Sequence, residues 1–342
     1  MANFDRQNSK QSIMHIEIFT NSKQLPELIE GPVLHSALMF RSQESSKGSR
    51  PYMLVAYDDE EGEELAHLLI IKRMGFRLFP PIYTSWYTIN GEGAYSPNCH
   101  DKERTFAAFL KKVFDMFDFR FSLIEVQNIE DSRFAYDTLR KHNFIPLRDQ
   151  RIYISLHSKD PAQRLTRAYR AHIRKAESNG VTYYRATERE DISEGLRLLH
   201  NYYISKTRRR LPDEKTLYKT LHNSDGTLSD EAKLFVVKYR GKTIGSSICL
   251  YDKERANLAF SCGLRKSHPM QHPGIMAIWA ALSDAYKEGY AHFEFLEARA
   301  LSFLHAKFRY TLQNYGGKEK GTLRWYHYKW QWLNKILRAI YV

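Results

Sequence analysis

SHPMQHPGIMAIWAAL, residues 267–282, runs from a polar, proline-punctuated segment straight into an apolar helical pattern, with Gly274 at the junction. The stretch just before it, RANLAFSCGL (255–264), reads as a strand. Proline near a helix start with glycine beside it predicts a strand-to-helix turn. The same arrangement lets a phosphate or an acyl carrier approach bare backbone N–H groups at a helix N-terminus. Ile275, Ile278, Trp279, Leu282 and Tyr286 step by three and four, giving one apolar stripe over 274–289. Gly289 then stands where a C-cap belongs.

Outward from that turn the chain shows one design twice. AKLFVVKYRGKTIGSSICLYD (232–252) and PYMLVAYDDEEGEELAHLLIIKR (51–73) each carry an apolar run, a charged turn with glycine, and a second apolar run. That is the pattern of a hairpin. Each is followed by a further strand, FPPIYTSWYTI or RANLAFSCGL, then a helix, 105–117 or 274–289. A strand (120–129 or 291–298) and another helix, SRFAYDTLRKH or LSFLHAKFRY, close each set. The offset is roughly 175 residues, which predicts an internal duplication of structure. Between the halves, DPAQRLTRAYRAHIRKAESNGV predicts a basic helix over 161–178, with Asp160 as N-cap and Asn179–Gly180 ending it. The boundary falls near residue 158, giving domains over 1–157 and 158–342.

At 342 residues and 43% apolar, the chain has length and material for two packed domains. No run of eighteen apolar residues argues for a membrane span, and MANFDRQNSKQSIMHIEIF lacks the apolar core of a signal peptide. Cys99, Cys249 and Cys262 form neither a zinc-spaced pair nor a disulfide framework, so no metal is expected and a reducing cytoplasm is the expected compartment. The net charge of +13 suits anionic partners: nucleic acid, an acidic membrane or a phosphorylated small molecule.

The second half resembles the GNAT acyltransferase superfamily. LFVVKYRGKTIGSSICLYD is similar to its central strand pair, and Gln271-His-Pro-Gly274-Ile275-Met276 to its phosphate motif, Arg/Gln-x-x-Gly-x-Gly/Ala. Gln271 and Gly274 match, whereas Met276 replaces a small residue. A resemblance covering more of the chain is to the FemABX family, which includes aminoacyltransferases that build peptidoglycan cross-bridges. It rests on YRAHIRKAESNGV, with Arg174, Lys175, Ala176, Asn179 and Gly180, and on AKFRYTLQNYGG. It implies an α/β (α+β) fold of two tandem GNAT-like domains, each a mixed central sheet flanked by helices. It also puts Lys307 at the lysine that stabilises the developing oxyanion, and Tyr310 at a later aromatic; Ala306 replaces the usual Phe.

Acyl transfer to an amine needs a proton acceptor and stabilisation of the carbonyl oxygen as it becomes negative. Ala259, Phe260 and Ser261 would offer the donor free backbone groups where two central strands splay, or else pair as ordinary sheet. Gln271, Gly274 and Ile275, flanked by His268 and His272, either cradle phosphate or form a plain turn. Lys307 is an oxyanion cation or a solvated helix face, and Tyr310 an acid for the leaving group or a core residue. Glu294 and Glu297 alternate along AHFEFLEA; one is a general base, or is ion-paired with Arg299 or Lys307. Arg208, Arg209 and Arg210, and Arg174 on the basic helix, suit an anionic substrate or plain solvent. The tail 321–342 interleaves Trp325, Tyr326, Tyr328, Trp330 and Trp332 with Arg324, Lys329, Lys335 and Arg338. It suits a peripheral membrane contact or a last strand passing into a capping helix.

Three readings follow. The donor is aminoacyl-tRNA and the acceptor a peptidoglycan precursor; or the donor is an acyl-CoA and the acceptor a small-molecule amine; or the GNAT-like pair is a non-catalytic binding module. In the first two, the second half carries the chemistry and the first half helps form the acceptor cleft.

Overall fold

The computed structural model describes residues 14–60, 62–77, 83–116, 122–157, 159–207, 212–296 and 312–328, with positions 332, 335, 336 and 339 beyond them. The first half builds β1 (Met14–Phe19), α1 (Ala37–Ser45), β2 (Ser49–Asp58), β3 (Glu64–Arg77), β4 (Tyr83–Asn90), β5 (Ala94–Tyr95), α2 (Lys102–Met116), β6 (Ser122–Gln127), α3 (Tyr136–Lys141) and β7 (Ile145–Ser155). The second builds α4 (Pro161–Arg164), α5 (Arg167–Ser178), β8 (Val181–Arg185), α6 (Arg189–Tyr202), α7 (Glu214–Thr220), β9 (Ala232–Tyr239), β10 (Lys242–Tyr251), β11 (Arg255–Gly263), α8 (Pro273–Lys287), β12 (His292–Phe295) and β13 (Lys318–Tyr328).

The two hairpins form as their sequences predict. In β9–β10 the turn is Arg240-Gly241, with φ of 49° and 73°, the left-handed pair that a two-residue hairpin loop requires. β9 and β10 are buried along most of their length because both of their faces are covered. The basic segment 161–178 divides into two helices rather than one. Asp160 caps α4 by accepting from the Ala162 N–H at 2.8 Å, and Thr166 starts α5 afresh by accepting from Tyr169 at 3.5 Å.

All strands join one mixed sheet in the order β1-β2-β3-β4-β6-β13-β7-β12-β11-β10-β9-β8, with β5 beside β3. Each half thus has its mixed sheet flanked by helices, as expected, and the two are joined edge to edge into one. The last strand of the chain, β13, lies antiparallel between β6 and β7 of the first half. The last strand of the first half, β7, pairs in turn with β12 of the second. Arg324 on β13 fastens the exchange: its guanidinium reaches Glu125 on β6 at 3.0 Å and Asp149 on β7 at 2.7 Å. Trp325 and Tyr328 of the same strand are fully buried, so this part of the aromatic tail is core. Trp332 is exposed; Trp330 lies outside the described residues.

Three cores follow. One packs α2 and α3 on the first half of the sheet through Phe106, Phe109, Leu110 and Leu139. A second packs α8 and α5 on the other half through Met276, Leu282 and Ile173. The third is shared. Met53, Val55, Leu69 and Ile71 of the first half meet Leu234, Val236, Ile248 and Leu250 of the second around α1, α6 and α7. There Thr220 donates to or accepts from Ser42 at 2.7 Å, and Thr216 donates to the Ser45 carbonyl at 3.0 Å.

Candidate functional site

β11 and β12 run parallel, and their pairing covers Arg255–Leu258 against His292–Phe295. β11 continues for five more residues, Ala259–Gly263, while it stays paired with β10 on its other side. Among the described residues no strand pairs with that stretch on the β12 side, and it contains Ala259, Phe260 and Ser261, where the sequence predicts a splay. The corresponding strands of the first half, β4 and β6, pair from Ser85–Ser122 through Asn90–Gln127, to the end of both strands.

The N-terminus of α8 is set against this end of β11 by two glycines upstream of it. A Cβ on Gly263 would lie 2.2 Å from the Gly274 nitrogen, and one on Gly245 would lie 2.7 Å from the Pro273 carbonyl oxygen. Only bare glycine backbone lets the helix start sit directly on β10 and β11. Gly274 is different. A Cβ there would meet no described atom within 4 Å, and its φ is not in the left-handed region. Neither packing nor backbone geometry therefore explains glycine at this position.

Within that first turn Pro273 has no N–H, and the N–H groups of Ile275 and Met276 donate to the His272 carbonyl at 2.9 and 3.0 Å. Among the described residues no group accepts from Gly274, and no side chain caps the helix. In the first half, by contrast, Asp101 accepts from the Arg104 N–H at 2.9 Å at the start of α2. Around the α8 N-terminus the charge is positive. His272, itself at φ 44°, stacks on His172 of α5 with ring centroids 4.2 Å apart. Burial, followed by the charges of His172, Lys175 and Arg265, holds His272 below the usual imidazole range. An anion placed here would relieve that repulsion.

Beside this stretch of β11, between the halves, lies a cavity of about 300 Å³. Its floor is Ile248, Leu250, Ala259 and Phe260, its far wall comes from α1 and β3, and Arg73 stands exposed on its lining. Tyr203, which follows α6, also lines it and is 3% exposed. The Tyr203 hydroxyl accepts from the Ser261 N–H at 3.3 Å and lies 3.5 Å from the Ser261 carbonyl oxygen. Nothing local in the sequence marks Tyr203 or Arg73, because each meets its site only through long-range packing.

The remaining expected residues distribute as follows. Phe260 and Ser261 lie on β11, whereas Gln271 just precedes α8 and Gly274 and Ile275 lie in its first turn; the contact between the two elements is made at Gly263 and Gly274. Ile275 also accepts from the buried Tyr315 hydroxyl at 3.1 Å through its carbonyl. Met276 is fully buried beneath α8, so its bulk points away from the helix N-terminus rather than obstructing it. Glu294 is buried and ion-paired with Arg151 of β7, with Arg255 at 3.8 Å; these are not the partners expected from sequence, and Glu294 is not part of the cavity lining. Arg174 lines a separate hollow with Tyr183 and Trp279. Lys307, Tyr310, Ala306, Glu297 and Arg299, and Arg208, Arg209 and Arg210, lie outside the described residues. Among the described residues, no cluster of three His, Cys, Asp or Glu could hold a metal, and no helix is long and apolar enough to cross a membrane.

Residues 163–308 match the family model of the acetyltransferase (GNAT) domain. No curated protein matches the sequence. Among solved structures the chain is similar to FemX, at 10% identity and a TM-score of 0.65, over 92% of this chain and 95% of that one. It is also similar to L-PGS from Bacillus licheniformis, at 14% identity and a TM-score of 0.56, over 92% and 100%. A third likeness is to the C-terminal domain of a protein assigned as a lysylphosphatidylglycerol synthetase from Agrobacterium fabrum, at 9% identity and a TM-score of 0.55, over 90% and 95%. At such identities these likenesses speak to fold, and they extend it across both halves. The stretch from 163 to 308 is therefore a GNAT domain, and the protein is an acyltransferase.

Proposed function

We propose that the protein transfers an aminoacyl group from aminoacyl-tRNA to an amine held in the cavity between the halves. The observation that carries this reading is the α8 N-terminus. Among the described residues, no group accepts from the Gly274 N–H, no atom lies where a Cβ would stand, and basic residues surround the turn. That is a place for a donor phosphate. The β11 edge beside it would hold the donor's carbonyl end. The amine nitrogen attacks the carbonyl carbon and a C–N bond forms. The C–O bond to the donor's ribose breaks, and the amine's proton ends on the leaving oxygen. Lys307, by the FemABX resemblance, supplies the charge that stabilises the oxyanion between those steps.

Two things favour an aminoacyl donor: the net charge of +13, which suits a polyanion, and a structural neighbour whose name joins a lysyl group to phosphatidylglycerol. By the same resemblance, a peptidoglycan precursor is the proposed acceptor. A second reading, an acyl-CoA donor with a small-molecule amine as acceptor, is favoured by the acetyltransferase description of the matching family and by the burial of Met276. Titrations decide. Saturable binding of aminoacyl-tRNA supports the first reading and saturable binding of acetyl-CoA the second. Binding of neither would refute both donors.

A further inference from the structure

We infer that Tyr203 is a donor-specificity gate that keeps coenzyme A thioesters off β11 and leaves the site to donors without an extended amide-bearing arm. The inference rests on the donor-site reading above. An extended arm with amides binds an open strand edge as another strand does, by exchanging N–H and C=O bonds with the residues that face it. Among the described residues no strand pairs with β11 on the β12 side after Leu258, and Ser261 directs both its N–H and its carbonyl towards Tyr203. A single hydroxyl covers both groups, at 3.3 and 3.5 Å.

The ring is held there. It packs edge-on against Phe260, with centroids 5.7 Å apart and planes at 88°, and it belongs to a short π-helical turn, Tyr203–Thr207, that continues α6. π-Turns redirect a side chain out of the regular helical spacing. Buried at 3% exposure, the hydroxyl cannot yield Ser261 to a donor amide without moving the ring. A compact ester, whose phosphates lie at α8 and whose carbonyl alone reaches β11, makes no demand on Ser261. The gate therefore works by withholding the strand edge from one donor class, which is how an unfavourable contact creates specificity.

The test is Tyr203→Phe, which removes the hydroxyl and keeps the ring. Calorimetric binding of coenzyme A and of alanyl-tRNA is measured on the full chain, wild type and variant, with a thermal melt of each. The expected result is a shift of the affinity ratio towards coenzyme A by tenfold or more. A purely structural tyrosine would lower both affinities together. A ratio unchanged within threefold overturns the gate while the donor-site reading stands. Should neither probe bind either protein, the donor-site reading falls and the gate falls with it.

Discussion

Gly274→Val separates ligand approach from fold. The added Cβ meets no described atom within 4 Å, so there is no clash to relieve. Backbone geometry at this position suits any residue, because φ is not left-handed. Glycine in a helix is about 0.5–1 kcal/mol worse than alanine, and valine lies between the two, so stability should hold or rise slightly. Donor binding should behave in the opposite way. The branched side chain would stand beside the Gly274 N–H, from which no described residue accepts. A hydrogen bond to a charged phosphate is worth about 1.5–3 kcal/mol, which corresponds to roughly 10- to 150-fold in Kd. The assay is calorimetric titration with the donor that the wild type binds, paired with a melting curve, and Gly274→Ala serves as the smaller step. Wild-type affinity in a folded Val variant would refute the phosphate site at α8. A drop in melting temperature parallel to the loss of binding would instead mean a structural glycine.

Gly263→Ala should do the reverse. Its Cβ would press on backbone atoms of Pro273 and Gly274, so a stability loss of about 1–3 kcal/mol is expected in a denaturant titration. His272 has a depressed pKa, so neutral His272 is favoured in the folded protein, and its contribution to stability is present above the unfolded value and lost as pH falls below it. A bound phosphate should raise that pKa, and binding near pH 6 should take up a fraction of a proton, visible as a buffer-dependent enthalpy and absent in His272→Gln. Lys307→Met should cut turnover by about 10²–10³-fold with little change in donor affinity, because the oxyanion exists only after attack; unchanged steady-state turnover would make the lysine structural. Residues 158–342 expressed alone should be insoluble or inactive, since β13 would lose both β6 and β7; a monomeric, active fragment would refute a shared cleft.

Local chemistry was enough to place the turn into α8 and the hairpin beside it. Proline and glycine punctuation, together with three- and four-residue apolar spacing, marked α8, and the Arg240-Gly241 turn marked the β9–β10 hairpin, because turns and helix starts are decided by neighbours in the chain. The repeated element order likewise signalled two related halves. Alternation along AHFEFLEA placed Glu294 opposite its phenylalanines, but not beside Arg151, a partner from the other half. Only tertiary structure decided that the halves exchange their last strands, since β13 reads the same whether it closes its own sheet or fills the slot between β6 and β7. In the slot Arg324 pairs with Glu125 and Asp149, groups about 200 and 175 positions away in the chain, and Trp325 and Tyr328 are buried. The cavity lining, Arg73 and the Tyr203 hydroxyl on Ser261 depend in the same way on the shared core, which brings α1, α6 and α7 together. Burial of apolar surface has no direction along the sequence, so contacts created by it are not written in any local pattern.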